Sequence, residues 1–201
     1  MKSKAVPYKV LVEPAVTSSM LEAAARKEAG HAVMRWLRLR KPSFIWLHRD
    51  LPVDGVCEPA FESDCRKEDV ILILLAGLAA QTGYGLKQID FTHVWDWPEV
   101  KRARELIGHA EVLQAHSEQG QEPSIEALLK NFYKRACEEL RESGSHEVDH
   151  ISRRLMQNEN AHGHGANDVH VWADEFKAMI LKLEEQRAGA NSATRQQARA
   201  I

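Results

Sequence analysis

Hydrophobic positions follow helical spacing over most of the chain and strand alternation over short stretches. Leu21, Ala25, Ala32 and Trp36 recur on one face, which predicts a helix over about residues 20–40. Ser19 and Glu22 form a capping box at its start, and Pro42 lies beyond its end. Residues 44–48 and 55–61 are β-rich and joined by a turn-like 49–54, so they predict a small antiparallel hairpin. From about 66 to 82 apolar residues go all the way round, the mark of a buried central helix, with Asp64 as its cap and Gly83-Tyr84-Gly85 as its stop.

Residues 86–97 read as an irregular loop. Pro98 opens a helix carrying Val100, Ala103, Leu106, Ile107 and Ala110, with Asp96 and Glu99 placed as its cap and capping-box partner. After Pro123 an amphipathic helix aligns Ile125, Leu128, Leu129, Phe132, Ala136 and Leu140, and a shorter one over 145–157 uses Val148, Ile151 and Leu155. Residues 161–165 read as a loop and 169–185 as a last helix. The organisation predicted is an N-terminal arm over 1–18, one domain over 19–186 and a disordered tail over 187–201. The fold class is mainly α, a compact helical domain with a small antiparallel hairpin or edge sheet.

Composition changes this picture little. The chain has 201 residues, 44% hydrophobic and 28% charged, which suits a globular domain. Its formal charge of −2 gives no reason to expect nucleic acid or an anionic membrane as partner. The longest apolar run, 70–80, is too short to span a bilayer, and no signal-peptide pattern opens the chain. Cys57, Cys65 and Cys137 make an odd, sparse set without a C-x-x-C pair, which favours a reducing compartment. The expectation is a cytoplasmic protein without a membrane span.

The chemistry begins at Lys27-Glu28-Ala29-Gly30-His31, one residue from H-E-x-x-H. That pattern sets two zinc-binding imidazoles on one helical face beside a general base. Lys27 stands where the first histidine would be. A protonated lysine repels a dication, whereas its ammonium can replace a metal's charge and pair with Glu28 or Asp96. Read alone, Glu28 and His31 also fit the polar edge of an amphipathic helix.

With Ala32 and Val33 added, this stretch resembles the H-E-A-G-H-A-V motif of the FtsH-type peptidase domain, whose members are zinc proteases usually fused to a AAA ATPase. Leu75-Ala76-Gly77-Leu78-Ala79-Ala80 resembles that family's L-A-G-R-A-A on a second helix. The predicted hairpin between them, and the helices carrying Ala136, Leu140, Val148, Ile151 and Leu155, are similar in order and spacing. The resemblance spans about residues 19–170, and no ATPase half is present. It implies a helical peptidase scaffold with Glu28 as the catalytic base, His31 and Asp96 as zinc ligands and Lys27 in a substituted ligand position. Counting back from Ala103 selects Glu99 instead of Asp96, and both stay open. The expectation is a catalytically impaired or inactive peptidase relative whose strand edge takes a peptide. The alternatives are an active zinc endopeptidase, with His48 or His93 replacing Lys27, and a metal-binding interaction protein.

That last alternative rests on an intact H-E-x-x-H, His146-Glu147-Val148-Asp149-His150, followed by His162 and His164. Val148, Ile151 and Leu155 define the core face of this helix. Both histidines project away from it among Glu147, Asp149, Arg153 and Arg154, without the apolar surroundings that tune a catalytic metal. His146, His150, His162 and His164 are therefore alternative metal-binding residues rather than a second active site.

Overall fold

The computed structural model describes residues 17–48, 54–58, 65–85, 94, 96–117, 123–157 and 168–199. Seven helices and one three-stranded sheet are defined among them. In chain order they are α1 (Ser18–Leu39), β1 (Phe44–His48), β2 (Asp54–Glu58), α2 (Lys67–Gln81), α3 (Pro98–Ile107), α4 (Ala110–Ala115), α5 (Ile125–Ser143), α6 (Ser145–Met156), β3 (Asp168–Val171) and α7 (Ala173–Arg199). No helix among the described residues is long and apolar enough to cross a membrane.

The fold is built around α2. All its residues from 70 to 80 are buried, and α1, α3 and α5 pack around it. The approach of α1 depends on small residues: Ala25, Ala29, Ala76, Ala79 and Ala80 are fully buried. A Cβ on Gly30 would fall 2.6 Å from both the Ala76 carbonyl oxygen and the Ala80 Cβ. Any larger residue there would push the helices apart. The turn after α2 needs left-handed backbone, which Gly83 takes at φ 65° and Tyr84 at φ 63°.

The caps differ from the sequence expectation. Thr17, not Ser19, caps α1, accepting from the Met20 amide at 3.3 Å. Arg66 and Trp97 hold the cap positions of α2 and α3 without side-chain cap bonds, so Asp96 does not cap α3. The expected cap Asp64 lies outside the described residues. The helix opened by Pro98 ends at Ile107, and Ala110 belongs to α4. In place of a cap, Asp69 inside the first turn of α2 takes Arg38 at 2.7 Å and Arg66 at 2.8 Å.

The hairpin is present, and a third strand joins it. β1 is central, antiparallel to β2 (Ile45 opposite Cys57) and to β3 (Trp46 opposite His170). Ile45, Leu47, Val169 and Val171 turn into the core. The last helix therefore does not begin at 169: Val169 and Val171 alternate as strand residues, and α7 starts at Ala173. Phe176, Ile180 and Leu183 bury its inner face, and Trp36 Nε1 donates to Glu184 at 3.0 Å. The helix continues to Arg199, across the stretch expected to be a disordered tail.

Candidate functional site

The middle of α1 presents Lys27, Glu28 and His31 toward α2 and the head of α3. Glu28 is 2% exposed although a lone carboxylate resists burial, so its surroundings must hold the charge. Lys27 Nζ lies 3.4 Å from Glu28 Oε1, within ion-pair reach but without hydrogen-bond alignment. The same ammonium donates to Glu99 Oε1 at 2.9 Å. Lys27 thus joins two carboxylates from two helices.

The electrostatics agree. Burial alone would push Lys27 down, but Glu28 and Glu99 more than offset it and hold the ammonium above the ordinary lysine value. Burial alone would push Glu99 up, yet the charge and hydrogen bond of Lys27 bring it below the ordinary carboxylate value. Both partners are fixed in their charged forms at neutral pH.

His31 completes the cluster on the other side of Glu28. Its Nδ1 stands 3.4 Å from Glu28 Oε2. The other ring nitrogen, Nε2, lies on the far edge of the ring. That edge is pressed into α2 at Gly77, where a Cβ would collide with Nε2 and sit 2.7 Å from Cε1. Nε2 is buried with no hydrogen-bond partner among the described residues.

The set does not fit a zinc ion. One of the three positions is a protonated amine, and the free imidazole nitrogen faces helix backbone rather than the carboxylates. Among the described residues no three His, Cys, Asp or Glu side chains are arranged to hold a metal. Of the two acids the sequence left open, Glu99 reaches Lys27, while Asp96 stands exposed in the turn ahead of α3. His48, considered as a substitute ligand, lies 2.6 Å from Asp168 on the neighbouring strand, and His93 is outside the described residues.

The second histidine motif sits on α6. His146 is exposed, His150 is half-buried, and His162 and His164 lie outside the described residues. Burial first, then Arg153, His146 and Lys182, push His150 below the ordinary imidazole value. The acidic residues of this motif are engaged elsewhere. Asp149 accepts from Arg26 at 2.8 Å. Glu147 is 3% exposed rather than on the solvated face the wheel suggested, and it takes Arg187 of α7 at 2.6 and 2.8 Å. A carboxylate held in this way is an anchor for α7 and not a general base.

No protein-family model matches this chain, and no curated protein sequence matches it.

Proposed function

We propose that this protein is a non-catalytic relative of the FtsH-type zinc peptidase domain, in which the Lys27 ammonium stands in for the metal's charge. One observation carries the reading: Lys27 Nζ lies between Glu28 and Glu99, 3.4 and 2.9 Å away. A dication neutralises and orients such carboxylates, and an ammonium does the same at half the charge without a Lewis-acid centre or an activated water. The pairing of α1 with α2 supports the ancestry, since the two stretches that carry the resemblance face each other through Gly30 and Gly77. Glu28, matched to the catalytic base, is in this reading a partner of Lys27 and His31.

The activity retained is binding. Among the described residues β2 pairs on one side only, and an extended peptide that adds to its outer edge gains main-chain hydrogen bonds without any catalytic step.

Metal content tests the proposal. Purified, untagged wild type should carry far less than one equivalent of zinc, and His31→Ala should not change this. Lys27→His should raise zinc occupancy. One zinc per wild-type chain, lost in His31→Ala, would overturn the reading. So would cleavage of an unstructured protein substrate by wild type that Glu28→Gln abolishes.

A further inference from the structure

Phe176, Ile180 and Leu183 take the inner side of α7, and Leu181 stands on its outer side, 41% exposed. A single exposed leucine is ordinary on a protein surface, but the charges around this one are arranged symmetrically. Lys177 lies four residues before it and Glu185 four residues after, and both are exposed. At 3.6 residues per turn they flank Leu181 by about 40° on either side. Ala178 and Ala188, also exposed, keep the rest of the strip small.

Within one chain these two charges cannot meet, because eight residues of helix separate them by about 12 Å along the axis. Among the described residues neither Lys177 nor Glu185 has a hydrogen-bond or ion-pair partner. An antiparallel copy of the same helix changes this. With a two-fold axis at Leu181, the leucines of the two copies meet, and Lys177 of each copy comes level with Glu185 of the other. The contact is isologous, so one placement makes both pairs. Parallel pairing would instead bring lysine to lysine and glutamate to glutamate.

We infer that the outer side of α7 is a homodimer contact, with a second copy of this chain packed antiparallel across Leu181. One leucine per copy and two exposed ion pairs make a small contact, well below the roughly 1,200 Å² of stable interfaces. The dimer is therefore weak, with a dissociation constant on the order of 0.1 mM.

Sedimentation velocity of the full chain, from about 10 µM to 1 mM, tests the inference. Wild type should pass from monomer to dimer over this range. Lys177→Glu and Glu185→Lys each leave only one sign of charge across the axis, so each should weaken self-association at least about tenfold. Mixed one to one, the two variants should dimerise about as well as wild type, since every glutamate then meets a lysine. Leu181→Ser should weaken the wild-type dimer by a further route, about tenfold, through the lost apolar contact. Three outcomes would each overturn the inference: single charge variants that associate like wild type, a mixture that stays monomeric, or a wild type still monomeric at about 1 mM, which would leave the strip to another chain or to solvent.

Discussion

The imidazole of His31 fills the space that Gly77 leaves in α2. The contact couples the middle of α1 to α2, and it fixes which ring nitrogen faces Glu28. Gly77→Ala should therefore cost about 3 kcal/mol, the upper part of the usual overpacking range, because α2 is buried all round and cannot yield. Removing the ring should return most of that loss, making Gly77→Ala with His31→Ala strongly non-additive. Urea unfolding of the four variants of this cycle gives the coupling. Additive single effects would show that the notch at Gly77 is not made for His31.

Lys27→Met should destabilise the protein by about 2 kcal/mol at neutral pH. This is less than for a fully buried pair, because Lys27 and Glu99 keep some solvent contact. The pH dependence has a definite sign. Glu99 is lowered in the folded state, so its contribution is present above its ordinary value near 4.5 and is lost as pH falls through the lower folded value. Lys27 is raised, so its contribution is present below its ordinary value near 10.5 and is lost as pH rises through the higher folded value. The stability gap between wild type and Lys27→Met should be widest between about pH 5 and 10 and narrow at both ends. A gap constant from pH 3 to 11 would mean that Lys27 acts through packing alone.

Arg187 ties the last helix to α6 by two hydrogen bonds to the buried Glu147, and to the end of α5 by a third, to the Ser143 carbonyl at 3.2 Å. Arg187→Ala leaves that carboxylate without its partner and should cost about 2–3 kcal/mol. Amide exchange should accelerate through α7 beyond Glu184. Replacing the carboxylate as well, in Arg187→Ala with Glu147→Leu, should recover most of the loss, since no charge is then stranded. Unchanged exchange in Arg187→Ala would show that α7 is held in place without this contact.

Much of the helical framework was legible because it follows from burial periodicity. The all-round apolar run of α2 and the stripes of α5 and α6 lie where the spacing placed them. What escaped was local pattern overruled by distant partners. Asp168–Val171 is four residues long and nearly runs into a helix, so its alternation merged with the helical one until β1 was there to pair with it. Glu147 lies on the polar side of its helix by sequence, and only Arg187 of α7, at the start of the stretch expected to be a tail, shows why it is buried. At the site, Lys27 and Glu28 were evident from the motif. The choice between Asp96 and Glu99 turned on a difference of three positions that no local rule resolves, and the geometry brings Glu99 to Lys27.

The central place of β1 also bears on how the chain is made. His48 pairs with Asp168 across 120 positions, so among the described residues one side of β1 has no partner until Asp168–Val171 has left the ribosome. At about 5–20 residues per second, that interval is on the order of ten seconds. Through it the nascent hairpin, with Ile45 and Leu47 on its inner face, presents unpaired main-chain groups to whatever strand it meets first. β3 thus acts as a late clasp, and the newborn chain is most exposed to misassembly just before it arrives.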